Sequence, residues 1–529
     1  MNRLAVIVGE DRVTDDDLER ELYSQEVANL PPEVVYVFNV RPDVVVRPSS
    51  TPEVVNVVAL AQELEIPITP RGAGTLGLGG SMPSKGGIML DLSTMNRIID
   101  VDPDTLSATV EAGVTWEELR DAARAKGLRV GAYPSSALSA TVGGWLSGGG
   151  VGIGSYKYGP AADQVRWLEV VLADGRVVES GFRGVMDNAS GYSLTNMFVG
   201  AEGTLGVITR ATIKLRPRPG DVVPSAYAFK GMKEASRAIL ALTRSPVVPY
   251  SISFVDGNHL ANLEELGMEV PDAAGAVVTV ALEGHMDEIA VTDAETEAAM
   301  GSAGGRRLSD EEAAESWENR SYEFRVKRLG PGLVPGSVFV PTARLEEAVE
   351  KVYHAIEDLG MKAGITGLVA DRNTVDILPY YIVDDRKMLK NIAVMSFVKR
   401  LTDIALAHGG RPVGVGMWFA QNLGRVHGEG AEVMRAMKAA LDPNDIMNPG
   451  KVVKMGTRFD LAIPTTAAGL GMDFLSALKK VLPPDTEEGE LGGPGGQGWR
   501  EGMTEGDEIE WVHGKREKEG GAKGRKGGR

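Results

Sequence analysis

Between residues 40 and 217 the chain alternates short apolar runs with one amphipathic helical pattern. Val44 to Val46 are three consecutive β-branched residues, which predicts a buried strand. Ser50 or Thr51 can cap a helix, because apolar residues then recur at helical spacing from Val54 to Leu64. Ile66 to Thr69 predicts the next strand, which completes a βαβ unit. Further strand-like runs are Ile88 to Leu90, Ala108 to Val110, Val170 to Leu172 and Val207 to Ile208.

The flanking regions have other patterns. Residues 1–40 predict a helical lead-in, because Asp15 to Leu22 is acidic and helix-prone. A proline-rich stretch at 217–224 predicts a linker. Residues 218–440 alternate strands such as Ala276 to Leu282 with helices such as Leu345 to Leu359, which is typical of an α+β domain.

The C-terminal part divides in two. Residues 441–455 carry a compact motif, and residues 456–529 form a tail that we expect to be largely disordered after 485, because it has too little apolar surface to offset the entropy of ordering. Trp499 and Trp511 in this tail are either chance occurrences or part of a docking segment.

Composition excludes several classes of protein. The formal net charge of -17 opposes binding to nucleic acid, which is itself a polyanion. The chain has no cysteine, which excludes disulfides, thiolate nucleophiles and iron–sulfur clusters within it. The sequence has no stretch of about 18 apolar residues, so it predicts no membrane span, and no signal peptide is evident. We therefore expect a cytoplasmic protein without a transmembrane segment.

A glycine-rich loop follows the second strand of the βαβ unit. Gly72, Gly74 and Gly77 fit the spacing G-x-G-x-x-G, but a Rossmann turn needs a helix directly after it. Here the strand at Ile88 to Leu90 comes next instead. The loop therefore predicts a nest of backbone N–H groups that can hold phosphate oxygens without a helix.

Two more glycine-rich stretches strengthen this interpretation. They run from Thr141 to Gly150 and from Gly200 to Ile208. Three loops that are poor in side chains let the backbone approach a flat, extended cofactor closely. An isoalloxazine ring needs such surroundings, because it is buried while its polar edge is hydrogen-bonded.

These motifs resemble the FAD-binding vanillyl-alcohol-oxidase (PCMH-type) superfamily. The resemblance is carried by Pro70 to Thr75, the pair Gly143-Gly144, Tyr158-Gly159 with Asp163, Gly203 to Ile208, and Leu441 to Lys451. Order and spacing agree over roughly residues 40–455, and the glycolate oxidase and D-lactate dehydrogenase branch is the most similar. The resemblance implies an α+β fold with a two-subdomain FAD-binding domain at 41–217 and an α+β substrate (cap) domain at 218–440. It also implies a segment at 441–455 that returns to the flavin.

The resemblance also implies the residues that bind FAD. Those expected around the pyrophosphate are Arg71, Gly72, Ala73, Gly74 and Thr75. Those expected along the flavin and ribityl chain are Pro134, Ser135, Thr141, Gly143, Gly144 and Gly148. Val207 and Ile208 would contact the flavin or adenosine side, and Asn448 would lie near the ring. Covalent members use a histidine near position 75 or a cysteine, whereas this chain has Thr75 and no cysteine, so the predicted FAD is non-covalent.

The catalytic motif of that branch is only partly present. His408 in Ala407-His408-Gly409 corresponds to the family's base, but the preceding metal-binding glutamate is replaced by Ala407. The stretch 364–373 also contains none of the metal-binding histidines that the branch has there. We therefore predict His408 as the base and no bound metal. A plain helix-end histidine is the structural alternative.

Without a metal, another cation should hold an anionic substrate. Guanidinium groups match a carboxylate bidentately. The candidates are Arg320, Arg325, Lys327, Arg328 and Arg411. Of these, we predict that Arg325 and Arg411 act in catalysis with His408. Tyr380 and Tyr381 could supply a hydrogen bond, although packing is the simpler role. The histidines at 259, 285, 354, 427 and 513 are interpreted as structural or surface residues.

The leading hypothesis is an FAD-dependent dehydrogenase of a small 2-hydroxy acid of the D-lactate or glycolate type. Its electrons would pass to a quinone or to an iron–sulfur partner subunit, and a homodimer is a further option. One alternative is a phenol- or ether-lipid-type flavoenzyme of the same superfamily. The other is a non-catalytic flavin electron-transfer subunit.

Overall fold

The computed structural model describes residues 1–27, 38–185, 190–218, 220–271, 275–320, 323–330, 332–383, 388–413, 416 and 420–454. All of them lie in the first of the two units into which the chain divides, Met1–Ala477. The predicted disordered tail, with Trp499 and Trp511, lies outside the described residues.

A small mixed sheet forms the N-terminal layer. Its strands are β1 (Val13–Thr14), β2 (Val44–Val46), β3 (Ile68–Arg71) and β4 (Ile88–Asp91), in the order β1-β2-β4-β3. The helices of this region are α1 (Asn2–Val8), α2 (Asp17–Leu22) and α3 (Thr51–Leu64). Strand β4 is parallel to both β2 and β3. Helix α3 buries its valine stripe against this sheet, as the sequence predicts. The lead-in is not wholly helical, because β1 pairs with β2.

An antiparallel sheet forms the second layer. Its strands are β5 (Ile98–Asp102), β6 (Ser107–Glu111), β7 (Leu128–Val130), β8 (Val165–Val171), β9 (Val177–Gly181) and β10 (Val207–Pro217). The order is β5-β6-β10-β8-β9, and β7 also pairs with β10. The accompanying helices are α4 (Trp116–Ala125), α5 (Val142–Gly148), α6 (Ser155–Tyr158), α7 (Ala161–Gln164) and α8 (Thr195–Phe198).

A larger antiparallel sheet forms the third layer. Its strands are β11 (Asp221–Phe229), β12 (Ser251–Asp256), β13 (Ala276–Gly284), β14 (Arg306–Arg307), β15 (Gly332–Pro335), β16 (Val338–Pro341), β17 (Ala363–Val369), β18 (Thr374–Val383) and β19 (Arg411–Pro412). Their order is β14-β11-β13-β12-β17-β18-β16-β19, with β15 on β18. The helices are α9 (Met232–Arg244), α10 (Gly257–Glu265), α11 (Met286–Gly301), α12 (Asp310–Asn319), α13 (Leu345–Leu359), α14 (Met388–Ala407), α15 (Leu423–His427) and α16 (Gly430–Leu441).

One face of the third sheet packs on helices α9, α11, α13 and α14. Successive side chains of a strand point to opposite faces of its sheet. In β18, Val375 and Ile377 therefore enter this core, whereas Asp376 and Leu378 line a cleft on the other face. The described residues thus form a mixed helix-and-sheet fold in which two smaller sheets are followed along the chain by the larger antiparallel sheet of the predicted cap.

Two local predictions need correction. The second glycine-rich stretch is not a loop throughout, because Val142–Gly148 forms helix α5. Thr141 caps this helix, and Val142, Trp145 and Leu146 bury one face, which outweighs the weak helix propensity of its glycines. The proline-rich linker is shorter than predicted, since β11 begins at Asp221 and Pro224 pairs with Ala281.

Candidate functional site: a cleft between glycine-rich loops and the cap sheet

A cleft lies between the glycine-rich segments and the third sheet, and its empty volume, including the open mouth, is about 1700 Å³. One wall comes from segments of the first two layers, and the other comes from Pro335 to Ser337, Leu368, Asp376, Leu378 and Val413. Every residue predicted to bind FAD lines this cleft except Asn448.

The glycine-rich loop fits tightly behind its wall. A side chain at Gly72 would overlap the Thr141 hydroxyl group, and Gly144 Cα would lie 3.5 Å from the added Cβ. Gly74 has a φ of +66°, and a Cβ there would lie 2.5 Å from Arg71 Nη2. Both positions require glycine, so this part of the cleft is bounded by backbone that a phosphate group can approach.

A partly buried cation lies at the start of the same loop. The Arg71 guanidinium donates a 2.8 Å hydrogen bond to the Gln25 carbonyl group and lies 5.4 Å from the centre of the Tyr23 ring. Burial lowers the pKa of Arg71 below its ordinary value. A pyrophosphate would supply the negative charge that offsets this desolvation cost.

Helix α5 begins at the cleft. The Thr141 hydroxyl group accepts a 3.2 Å hydrogen bond from Gly144 N, and a Cβ at Gly143 would lie 2.6 Å from that of Ala112. Small residues thus let this turn pack directly on the second sheet. With the loop at 72–75, these features fit the diphosphate and tricyclic ring of a flavin dinucleotide.

Two carboxylates that sequence reasoning missed tie the loops together. Glu26 accepts hydrogen bonds from Gly79 N at 2.9 Å and from Ser81 N at 2.6 Å. Glu202 accepts a 2.9 Å bond from Gly416 N, which joins the third glycine-rich segment to the C-terminal half. The signal in the sequence was an acidic residue within a glycine-rich run at Glu202.

The segment after α16 returns to the small sheet. Ile68 N donates to the Ile446 carbonyl group and Asn448 N donates to that of Ile68, both at 2.7 Å. The Asn448 side-chain amide donates to the carbonyl groups of Gly80 (2.7 Å) and Glu202 (2.6 Å). Asn448 therefore stands behind two segments of the wall, although it does not line the cleft.

A buried ion pair holds the returning segment. Lys438 Nζ contacts the Asp442 carboxylate and donates to the carbonyl groups of Thr204 (3.0 Å) and Met447 (2.7 Å). Asp442 accepts from Ile446 N at 3.1 Å and Met447 N at 2.8 Å. These bonds link α16, the third glycine-rich segment and the return segment.

Lys451 is a second buried cation next to this segment. Only 1% of it is exposed, and its Nζ has no hydrogen-bond partner among the described residues. Burial lowers the pKa of Lys451 to about 8, although the nearby carboxylates Glu26 and Glu202 act in the opposite direction. Both carboxylates line the cleft, so Lys451 adds positive charge behind the same wall.

The cap wall contains one carboxyl group that was also missed. The Ser337 hydroxyl group donates a 2.8 Å hydrogen bond to Asp376 Oδ1. Asp376 is 5% exposed, and its burial raises its pKa to about 7. An aspartate within the apolar run Val375 to Leu378 is the signal that could have found it, because buried carboxyl groups are rare.

Similarity to known proteins agrees with this geometry. The family model described as FAD binding domain matches residues 42–181, and that of FAD linked oxidases, C-terminal domain, matches residues 219–452. The chain is 30% identical to a glycolate oxidase subunit of Bacillus subtilis over 471 residues, which cover 86% of this chain and 97% of that protein. It is 31% identical to a D-lactate dehydrogenase of Archaeoglobus fulgidus over 452 residues, which cover 82% of this chain and 98% of that protein.

This chain belongs to the FAD-linked oxidases. FAD is its cofactor, and it is an oxidoreductase of the glycolate oxidase and D-lactate dehydrogenase type. The solved structure of p-cresol methylhydroxylase with bound substrate has the same fold, with a TM-score of 0.74 at 21% identity over 86% of this chain and 96% of that one. The predicted superfamily is therefore confirmed.

The catalytic residues predicted from sequence lie outside the described lining of the oxidase's cleft. His408 follows α14, and its Nδ1 lies 2.7 Å from the Ile404 carbonyl oxygen. Arg325 donates a 3.0 Å hydrogen bond to Asn319 and contacts Met268. Their catalytic roles stay predictions.

Arg411 lies beside a second cavity of the oxidase. This cavity has an empty volume of about 1450 Å³ and shares Gly148, Glu202 and Val413 with the cleft. His427 lines it as well, and its pKa is lowered by burial and by the charge of Arg411. Arg411 and His427 therefore face one space that adjoins the cleft.

The remaining predicted groups have mainly structural surroundings. His259 Nδ1 lies 2.8 Å from the Tyr380 hydroxyl group, and burial lowers the pKa of His259 to about 4. In the described part of the oxidase, no cluster of three or more His, Asp or Glu side chains is arranged to hold a metal ion. None of the helices described is both long and apolar enough to cross a membrane.

Proposed function

We propose that this FAD-linked oxidase dehydrogenates a small 2-hydroxy acid of the D-lactate or glycolate type and passes the electrons to a quinone or a partner protein. The observation that carries the proposal is similarity along nearly the whole length of two relatives, one named a glycolate oxidase subunit and the other a D-lactate dehydrogenase. The matched regions include both walls of the cleft.

In this proposal FAD is bound non-covalently by the residues predicted from sequence. Arg71 and the backbone from Gly72 to Thr75 would hold the pyrophosphate. The ribityl chain and ring would lie along Pro134, Ser135, Thr141, Gly143, Gly144 and Gly148, with Val207 and Ile208 at the flavin or adenosine side. When bound, FAD supplies an acceptor for the hydride that leaves the substrate carbon.

The cap wall would exclude water from the reacting groups. Its described lining is largely apolar, with Pro335, Leu368, Leu378 and Val413 around Asp376. We assign the substrate carboxylate to Arg411, because this residue lines the cavity that adjoins the cleft through Val413. A guanidinium group can bind a carboxylate bidentately, whereas the cleft itself carries the carboxyl groups of Glu26, Glu202 and Asp376.

The test is anaerobic mixing of the FAD-loaded protein with a panel of D- and L-2-hydroxy acids. Reduction bleaches the oxidised-flavin absorbance at about 450 nm. We expect bleaching by D-lactate or glycolate. Bleaching by phenols alone would instead support the phenol-oxidising alternative. No bleaching by any small donor, with normal reduction by a protein partner, would indicate an electron-transfer subunit.

A further inference from the structure

Asp376 occupies an unusual place in the cap. It lies in β18 between Val375 and Ile377, which are fully buried in the core beneath the sheet. The alternation of a strand turns Asp376 to the opposite face, toward the glycine-rich wall. On this face Leu368 of β17 is its direct neighbour in the register.

Within the described residues, the carboxyl group of Asp376 is held at one of its two oxygens. Ser337 donates to Oδ1, and no described residue hydrogen-bonds to Oδ2. The position of Ser337 is fixed in turn, because its carbonyl group accepts a 3.0 Å bond from Val413 N and the preceding Gly336 N donates to Pro379 at 2.6 Å. Ser337 is therefore a positioning residue that leaves Oδ2 available to a molecule in the cleft.

The charges around the carboxyl group are unevenly placed. Among the described lining residues, Asp376 is the titratable group of the cap wall, whereas Arg71, Glu26 and Glu202 belong to the glycine-rich wall. The cap residues beside it are apolar or, in Ser337, uncharged. On the cap side, the carboxyl group of Asp376 in β18 is thus the group that can exchange a proton with a substrate between the walls.

We propose that Asp376 is the base that accepts the hydroxyl proton of the substrate. This role rests on the function proposed above, in which an alcohol carbon is oxidised. The substrate O–H bond breaks and its proton moves to Asp376 Oδ2. The C–H bond would break with its electron pair, for which FAD would supply the hydride acceptor when bound, and a C=O bond would form.

The electrostatics of the site agree with this role. Burial raises the pKa of Asp376 from its ordinary value of 3.8 to about 7, and the Ser337 hydrogen bond only partly opposes the shift. A base whose pKa lies near neutral pH is both partly ionised and basic enough to take a proton. Because the carboxylate must be ionised, flavin reduction should become faster as pH rises through about 7.

The decisive experiment compares Asp376→Asn with the wild type in the anaerobic assay. We expect Asp376→Asn to bind FAD but to be reduced about 100-fold or more slowly, the scale of losing a general base. Its rate should also lose the rise through neutral pH. The matched control is Asp371→Asn in the same hairpin, because Asp371 is exposed and does not line the cleft.

Three outcomes separate the hypotheses. If hydroxy acids reduce the wild type and Asp376→Asn keeps the same rate and pH profile, Asp376 is not the base. The proposed function then still stands. If His408→Gln reduces the flavin much more slowly while Asp376→Asn reduces it at the wild-type rate, His408 is the base instead. Failure of every hydroxy acid to reduce the wild type refutes the function itself.

A readout without turnover checks the ionisation directly. Between about pH 4 and 7 the folded Asp376 binds more protons than the unfolded chain does, so its contribution to stability falls as pH rises. The FAD-free wild type should therefore lose stability over this range relative to Asp376→Asn. Parallel curves would contradict the raised pKa. If Asp376→Asn does not fold, Ser337→Ala replaces it, because loss of this hydrogen bond should raise the pKa of Asp376 further and move the rise in flavin-reduction rate to higher pH. A pH profile that does not move would overturn the proposal.

Discussion

At the residue scale, the cofactor cleft depends on positions where no side chain fits. Gly72, just after β3, faces Thr141 and Gly144 at the start of α5. The sequence marks Gly72 as part of a glycine-rich motif. The structure adds the reason, which is the close approach of the loop to the start of α5.

We predict that Gly72→Val retains at least tenfold less FAD than the wild type. The added side chain must displace Thr141 or Gly144, and overpacking of this kind costs about 1–3 kcal/mol. Flavin absorbance per chain after dialysis measures the effect, and circular dichroism checks the fold. Gly301→Ala is the control, because a Cβ there meets nothing within 4 Å. Equal flavin content in Gly72→Val and wild type would contradict the prediction.

At the element scale, the return segment is attached to the fold by charge. The side chains of Lys438 and Asp442 are 8% and 0% exposed, and each also bonds to backbone groups of neighbouring segments. Removing one member of such a pair leaves the other buried without its counter-charge. The segment in turn supplies Ile446 and Met447 to the core of the small sheet.

We therefore expect Asp442→Ala to destabilise the protein by about 3–5 kcal/mol, the usual cost of breaking a buried ion pair. Thermal or urea unfolding, followed by circular dichroism, measures the loss. The comparison is Glu432→Ala, which removes the exposed partner of Arg435 on α16 and should cost about 1 kcal/mol or less. Equal losses in the two variants would show that the buried pair does not hold the segment.

Helix α5 illustrates a second element-scale effect. Its glycines predict a loop, since glycine has a low helix propensity. The apolar residues Val142, Trp145 and Leu146 nevertheless recur at helical spacing and are buried. Packing of these apolar residues against the second sheet stabilises the helix. Their helical spacing was visible in the sequence, but the glycine content favoured the prediction of a loop.

At the scale of the whole molecule, the cleft has two walls whose segments are far apart in the sequence and come together only in the folded chain. Residues 70–80, 134–153 and 202–208 form one wall, and residues 335–337, 368–378 and 413 contribute to the other. A ligand that contacts both walls stabilises the folded state relative to separated halves.

Loading with FAD should accordingly raise the unfolding temperature. At a free FAD concentration of 100 times the dissociation constant, the expected gain is about 2.7 kcal/mol. Differential scanning calorimetry of FAD-free and loaded protein measures it, and Gly72→Val should gain much less at the same FAD concentration. No change in the wild type would mean that FAD does not preferentially bind the folded chain.

The sequence by itself determined the elements and the cofactor motif. Strands such as Val44–Val46 and helices such as Leu345–Leu359 follow from apolar periodicity, which is a local property. The glycine-rich loop indicated a phosphate site, because backbone that approaches a phosphate must lack side chains. The Leu441 to Lys451 motif indicated the flavin site through its resemblance to the superfamily.

Only the tertiary structure decided which side chains share the site. His408 was predicted from the family motif and Arg325 from its guanidinium chemistry, yet both lie outside the described lining of the cleft. Asp376, Glu26 and Glu202 lie within it. Residues far apart in the chain meet through strand register and sheet order, which depend on pairing across the whole cap rather than on local pattern. A buried carboxyl group also acquires its chemistry from its surroundings, since burial and the Ser337 hydrogen bond exist only once the sheet is complete.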